Sequence, residues 1–322
     1  MKSPIAIKRL SPLFALLVGL CLIVSLAESC GKKTPPAPAA VKAKPLVVTS
    51  FFPLYDFARQ IGGTNVEVVC LVPPGGDPHE AEPTPSAAKS VSEADLVLLL
   101  GLGMDGWVEK LSTAEHKAGI VKLAADFPTH KMGKAALSEF SKDANPDEID
   151  PHVWMDPVLA QTLAQRITDQ LEKLAPEHRA EIEARGRAFL AELQNLDKEY
   201  AAACAKFPNR PVVTFHGAYS YLFARYHLQV AGVIEEFPGD EPSAEYLRKL
   251  VDVMRDLKVK VIFAEPQLSD RPAQVIAKEL GGHVEQLDPC ETILPDAPEA
   301  TYLERQRKNI RALESALSNP AQ

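Results

Sequence analysis

Three of the eight histidines lie in loops at the ends of segments that read as strands or helices, where they could bind a metal ion. His79 follows the apolar segment Val66–Val72, and His216 follows the β-branched segment Val212–Thr214. His152 lies in a loop between prolines that precedes a helical segment. Because open α/β sheets bind ligands beyond the carboxyl ends of their strands, we expect these three imidazoles to converge.

A carboxylate that ends a further apolar segment could complete this set. Asp288 follows Val284–Leu287 and offers a fourth ligand. Three neutral imidazoles and one carboxylate suit Zn²⁺ in a tetrahedral site, whereas Ca²⁺ and Mg²⁺ prefer oxygen ligands. The other five histidines have no partner motif and are predicted to lie at the surface or in turns: His116, His130, His178, His227 and His283.

The body of the chain contains an internal repeat. Three motifs recur in the same order about 165 residues later: Val47–Thr49 as Val212–Thr214, Phe57–Arg59 as Phe223–Arg225, and Pro74-Gly75 as Pro238-Gly239. Each copy alternates apolar strand-like segments with helical segments, which is typical of βαβ units and a parallel sheet. The sequence therefore predicts an α/β fold with two similar lobes, each a parallel β-sheet flanked by helices.

A long helical region separates the two copies. Pro157–Leu174 has apolar residues at spacings of three and four, and the segment from Pro176 to about Phe207 is rich in Ala, Glu, Leu and Arg. About thirty helical residues would span ~45 Å, enough to cross a whole lobe. We therefore predict an N-terminal lobe over 45–156, a helical region with a connecting long helix over 157–207, and a C-terminal lobe over 208–322.

The first 44 residues are interpreted as an export and anchoring segment. Leu13–Ala27 is an uncharged run of fifteen residues after three basic residues, which is too short for a spanning helix of ~20 residues. Residues 1–29 are predicted to be a signal peptide, with Cys30 as the lipid-anchored residue and 30–44 as a Lys/Pro/Ala-rich tether. Ordinary cleavage near Ala27 or Ser29, without lipidation, is the alternative. Both interpretations place the protein in the periplasm or at the outer face of the cytoplasmic membrane.

Charge and cysteine content narrow the class of protein. The net charge is -8, but residues 1–44 carry six excess positive charges, so residues 45–322 carry -14. Such an acidic body disfavours nucleic-acid binding, which needs Lys and Arg, and favours cations. Beyond Cys30, an odd number of cysteines follows, Cys70, Cys204 and Cys290, without a C-x-x-C motif. A Cys204–Cys290 disulfide is one of the pairings that remain open.

An ordered series of motifs resembles a known family. The series is Asp77-Pro78-His79, Asp150–Pro157, His216–Tyr221, Glu265-Pro266-Gln267 and Leu287-Asp288-Pro289. Over roughly residues 45–317, it is similar to the solute-binding proteins of zinc/manganese ABC importers, a family of periplasmic metal-binding lipoproteins. The resemblance implies two α/β lobes joined by one long helix, with the metal between the lobes.

The resemblance also implies the roles of individual residues. The metal ligands would be His79, His152, His216 and Asp288. Glu265 is a candidate substitute ligand, although its Glu-Pro-Gln setting favours packing or hydrogen-bonding near the site. His216 stands where manganese-type members usually have Glu, so Zn²⁺ is favoured, with Mn²⁺ left open. The His-rich loop of many zinc members is absent, because His130 is the sole histidine of Asp126–Glu148.

The implied function is a monomeric, non-enzymatic receptor that delivers a divalent metal to a membrane permease. An Mn²⁺ receptor, a zinc hydrolase and a surface adhesin are the alternatives. A fourth protein ligand would fill the position that a hydrolytic water needs, which disfavours the hydrolase.

Overall fold

The strands form two parallel sheets with the same order. The computed structural model describes residues 44–111, 119–131, 149–207, 210–235 and 242–318. The first sheet has the order β2-β1-β3-β4 and the second β6-β5-β7-β8, and every pairing within them is parallel. The strands are β1 Leu46–Thr49, β2 Glu67–Cys70, β3 Leu96–Leu99, β4 Gly119–Lys122, β5 Pro211–Thr214, β6 Gln229–Val233, β7 Val261–Ala264 and β8 His283–Gln286.

Helices connect the strands and cover the sheets. In chain order they are α1 Phe52–Gly62, α2 Pro85–Glu93, α3 Gly106–Glu109, α4 Pro157–Leu174, α5 Arg179–Cys204, α6 Ser220–Tyr226, α7 Ala244–Asp256, α8 Arg271–Glu279 and α9 Tyr302–Leu317. Between the sheets lie α4 and α5, while α9 returns after the second sheet to pack on α5 and α1.

Alternating strand residues explain why both faces of each sheet are covered. Val47 and Val212 belong to one large core that also includes residues of α4, α5 and α9. Their neighbours Val48 and Val213 point to the opposite faces, where each sheet has its own smaller apolar cluster. Parallel sheets are stable when helices bury both faces, and here the shared core joins both sheets to the helices between them.

Local signals define the helices next to the site. The Asp156 side chain accepts a hydrogen bond from the Val158 backbone N–H, and Pro157 occupies the first turn of α4, where no N–H is needed. Thr301 and Glu304 form a capping box at the start of α9. The orientation of α9, which contacts the site region, is therefore set by its own first turn.

The predicted fold class is confirmed, with differences in detail. The long helix α5 has 26 residues and follows a 3-10 turn at Pro176–His178, so it is shorter than expected. The sequence analysis did not identify β4, a short strand with only half-buried and exposed residues.

The predictions for the disulfide, the leader and the lobe boundaries have different outcomes. The free thiols are Cys70, Cys204 and Cys290, so the considered Cys204–Cys290 disulfide is not formed. The signal, Cys30 and most of the tether lie outside the described residues. Among the residues that are described, no helix combines the length and the hydrophobicity that a membrane span requires. The proposed lobe boundaries stay a prediction.

Candidate metal centre

Four side chains converge on one point between the two sheets. The Nε2 atom of His152 lies 3.2 Å from Nε2 of His79 and 3.3 Å from Nε2 of His216. Oε1 of Glu291 lies 3.0 Å from Nε2 of His152, 3.3 Å from that of His216 and 3.4 Å from that of His79. All four atoms lie within 4.8 Å of one another, which is the arrangement of ligand atoms around a single ion.

Three of the four residues follow a strand, and the fourth precedes a short helical turn. His216 comes two residues after β5, and Glu291 comes five residues after β8. His79 lies in the loop after β2, and His152 directly precedes the 3-10 turn that leads into α4. Two of the converging groups thus come from each side of the helical region, and His79, His216 and Glu291 lie beyond the carboxyl ends of strands, where α/β proteins bind ligands.

Buried carboxylates fix two of the imidazole rings. Asp150 Oδ1 lies 2.7 Å from Nδ1 of His152, and Glu265 Oε1 lies 2.5 Å from Nδ1 of His216. Each carboxylate has a further donor, Ser220 Oγ on Asp150 and Gln267 Nε2 on Glu265. A carboxylate on Nδ1 selects the tautomer in which Nε2 carries the free lone pair and makes that nitrogen a better metal ligand.

The charges of the cluster are strongly coupled. Burial opposes protonation of His216, but the charges of Glu265 and Glu291 raise the pKa of this imidazole well above its ordinary value. Burial likewise opposes protonation of His152, whose pKa is nevertheless raised by Asp150 and Glu291. Burial would raise the pKa of Glu291, but His216 and the hydrogen bonds of the histidines lower it well below its usual range. The metal-free cluster therefore holds protons that a cation would displace.

The cluster has one side that faces solvent. The side chains of His152 and His216 are fully buried and that of Glu291 is 2% exposed, whereas that of His79 is 11% exposed. The mouth of the site therefore lies on the side of His79.

The loops that carry His79 and Glu291 touch each other. The Gly75 N–H donates to the Ile293 carbonyl at 2.9 Å, and the Thr292 hydroxyl donates to the Pro73 carbonyl at 3.4 Å. Gly75 has φ +75°, and a Cβ there would lie 3.1 Å from Pro295. Glycine is needed at position 75, because a side chain there would be strained in this left-handed backbone conformation and would crowd Pro295.

Asp288, the predicted fourth ligand, lies outside the four converging groups, because its carboxylate pairs with another residue. Asp288 forms a buried ion pair with Arg305, with 2.6 Å from Oδ1 to Nη2 and from Oδ2 to Nε. The structure places Glu291, three residues later, at the fourth corner of the cluster. The signal in the sequence is that a second acid follows in the same loop, but the sequence does not show which of the two acids pairs with another side chain.

The other candidate residues lie as follows. Glu265 contacts His216, as the sequence suggested, and is not one of the four converging groups. Asp150 was not singled out, although it stands in the motif that contains His152. His130 is exposed and stacks on Tyr221 with ring centroids 4.3 Å apart. Cys30 lies outside the described residues.

Comparison with known proteins agrees with the resemblance found in the sequence. The sequence model of the family "zinc-uptake complex component A periplasmic" matches residues 47–316. The high-affinity zinc uptake system protein ZnuA of Bacillus subtilis is 31% identical, over 96% of this chain and 98% of that protein. The zinc-binding lipoprotein AdcA of Streptococcus pneumoniae is 30% identical, over 92% of this chain and 59% of AdcA. The chain thus spans about three fifths of the length of that relative.

A solved structure agrees with the fold and with the sequence match. The Zn(II)-bound ZnuA-like domain of S. pneumoniae AdcA has a TM-score of 0.74 and 29% identity, and the match covers 86% of this chain and 100% of that domain. The family match extends over most of the chain, so the resemblance found in the sequence is confirmed. This chain belongs to the zinc-uptake complex component A family, the periplasmic solute-binding components of ABC metal importers.

Proposed function

We propose that this protein is an extracytoplasmic receptor that binds Zn²⁺ as cargo and delivers it to an ABC import permease. The observation that carries the proposal is the convergence of three Nε2 atoms and Glu291 Oε1 within 4.8 Å. One carboxylate and three imidazoles, two of them fixed by carboxylates on Nδ1, form a donor set that suits a tetrahedral Zn²⁺ site.

The donor set favours Zn²⁺ over Mn²⁺. Mn²⁺ prefers carboxylate, carbonyl and water oxygens in larger coordination shells, and it stands below Zn²⁺ in affinity for nitrogen sites. His216 supplies the third nitrogen, and its ring is fully buried between His152 and Glu265. Its fixed position leaves little room for an additional water on that side.

Four protein ligands support a transport role over hydrolysis. A catalytic zinc site keeps one position open for water, whereas His79, His152, His216 and Glu291 would together supply four protein ligands. The partially exposed His79 gives the ion a way in and out, which a cargo site needs. The zinc-hydrolase alternative gains no support.

The same function explains the basic leader. Cleavage before Cys30 and lipidation of its thiol would hold the binding body near its permease through the 30–44 tether. One acyl chain binds membranes only marginally, so firm anchoring requires further acylation of the same cysteine. We propose that the anchored protein acts as a monomer, since all four metal-binding groups come from one chain.

Metal titration of the purified protein tests the proposal. After removal of metal with a chelator, we expect one tightly bound Zn²⁺ per chain by elemental analysis and weaker binding of Mn²⁺ in competition. Glu291→Ala should weaken zinc binding strongly, whereas Glu285→Ala removes a half-buried carboxylate of β8 outside the cluster and should leave it unchanged. Absence of stoichiometric metal in the wild-type protein would overturn the proposal.

A further inference from the structure

A buried cation lies beneath the loop that carries Glu291. The side chain of Arg305 on α9 is 4% exposed, and its guanidinium lies over the Phe52 ring, 4.4 Å from the centroid. It donates to both carboxylate oxygens of Asp288 at 2.6 Å and to the Thr292 carbonyl at 2.7 Å. The three hydrogen bonds thus reach the chain on both sides of Glu291.

Further hydrogen bonds hold the segment between these anchor points, among them one from Trp154 Nε1 to the Pro289 carbonyl at 2.8 Å. The Cys290 N–H donates to Asp288 Oδ1 at 2.7 Å, and Cys290 has a left-handed backbone with φ 56°. The Phe52 N–H donates to the Glu291 carbonyl at 3.4 Å. A non-glycine residue at positive φ is unfavourable, so the loop needs fixed neighbours to hold this turn.

A second residue of α9 holds the start of the same loop. The Asn309 side chain accepts from the Asp288 N–H at 2.8 Å and donates to the Asp288 carbonyl at 2.7 Å. Asn309 therefore fixes the main chain before Glu291, while the part after it is held by Arg305 on the Thr292 carbonyl and by the contacts with the loop of His79. Of the two α9 residues, Arg305 is the one that reaches both sides of Glu291.

A buried ion pair is costly, because both charges lose their hydration and apolar side chains would often serve stability as well. The Arg305–Asp288 pair therefore calls for a reason other than stability. Its geometry suggests one, since the same guanidinium spans the five residues 288–292, which include Glu291.

We infer that Arg305 is a positioning residue for metal binding, which acts through Asp288 and Thr292 to hold Glu291 with Oε1 toward the three imidazoles. It does not touch the metal. A fixed carboxylate keeps the site four-coordinate and favours Zn²⁺ over ions that need more ligands. This inference rests on the proposed function and assigns one of its determinants.

The test removes the guanidinium without leaving a buried charge. In the double variant Arg305→Met with Asp288→Asn, the asparagine still accepts from the Cys290 N–H while the loop loses its anchor at Thr292. We expect about tenfold weaker zinc binding, at the lower end of the effect of residues that orient ligands. The absorption spectrum of the Co²⁺-loaded variant should shift toward that of Glu291→Ala, a change that general destabilisation would not produce.

A matched control lies on the same helix. Arg307 pairs with Glu192 and Glu199 on α5, away from the cluster, and Arg307→Met should leave zinc affinity and the Co²⁺ spectrum unchanged. Arg305→Lys keeps the charge but lacks the fork that reaches both Asp288 and Thr292, so it should show a smaller loss of affinity than the double variant. Circular dichroism and thermal melting compare the folding of every variant.

A double-mutant cycle separates positioning from structural support. In a Glu291→Ala background, the Arg305 and Asp288 substitutions should cause no further loss, because the carboxylate they position is gone. An undiminished loss in that background would overturn the inference, as would wild-type affinity and a wild-type spectrum in the folded variants. Those results leave the proposed function standing, whereas a wild-type protein without tight zinc would overturn both.

Discussion

The two sheets share one topology but carry different chemistry at equivalent positions. Thr49 of β1 pairs with Leu98 of β3 as Thr214 of β5 pairs with Phe263 of β7. Two residues beyond each first strand, the first half has Phe51 and the second half has His216. A phenylalanine and a metal-binding imidazole thus occupy the same place in the two halves.

The next strands differ in the same way. Two residues beyond Leu98 the first half has Leu100, and two residues beyond Phe263 the second half has Glu265, which holds His216. Phe51 instead packs edge-on against Trp154, with centroids 4.8 Å apart. In the first half, the ends of β1 and β3 contribute to packing and loops carry His79 and His152. In the second half, the ends of β5 and β7 carry His216 and Glu265, and a loop carries Glu291.

This difference predicts that the ligands contribute unequally to zinc affinity. His216→Ala should weaken zinc binding by more than about 100-fold, beyond the range for residues that only orient ligands, because nothing can replace the buried nitrogen. His79→Ala should cost less, since a water can reach the exposed side of the cluster. Competition with a zinc-chelating dye measures both, with His283→Ala as control. Equal losses for His216 and His79 would contradict the distinction between strand-borne and loop-borne ligands.

The pH dependence of zinc binding follows from the charges around His216. The pKa of His216 is raised well above its ordinary value by Glu265 and Glu291 despite burial, so protons compete with zinc from a higher pH than for an ordinary histidine. Below this pKa, zinc affinity should fall by about tenfold per pH unit for each proton displaced. Titrations between pH 8 and pH 5.5 check this, and a constant affinity over that range would refute it.

The smallest effect concerns the residue that orients His216. Glu265→Gln should weaken zinc binding about tenfold at pH 8, as expected for loss of a carboxylate behind a ligand. The wild-type carboxylate also favours the protonated imidazole, so the wild-type protein loses more zinc affinity than the variant as the pH falls. The difference in zinc affinity between the two proteins should therefore shrink toward low pH. Parallel zinc titrations of Glu265→Gln and the control Glu285→Gln measure the loss of zinc affinity at each pH. A deficit that grows toward low pH would argue against this role of Glu265.

The fold could be predicted because its signals are local and repeated. The apolar segments, the Pro-Gly turns and the helical spacing of Pro157–Leu174 each depend on a few neighbouring residues, and the helix has those bounds. The strand β4 was missed because its Gly-Ile-Val-Lys sequence is short and half-exposed, so burial gives it no strong apolar pattern.

The site was predictable only where a ligand directly follows a recognisable element. The three histidines met this condition, but the carboxylate did not. Asp288 and Glu291 lie in one loop, and only the contact with Arg305, seventeen residues beyond Asp288, decides which of them is available. Such long-range competition for a partner leaves no periodic trace in the sequence.

The position of α9 has a consequence for how the protein matures. The Tyr302 N–H donates to Asp56 and the Tyr302 hydroxyl to the Trp154 carbonyl, so the helix that supports Glu291 is docked on residues made much earlier. Contacts between such distant parts of a chain form late in folding. During synthesis, the complete cluster can therefore assemble only after residues 56 to 309 have all emerged. A chain that ends before Glu291 lacks the fourth group of the cluster, so the site is completed only when the C-terminal part of the chain has been made.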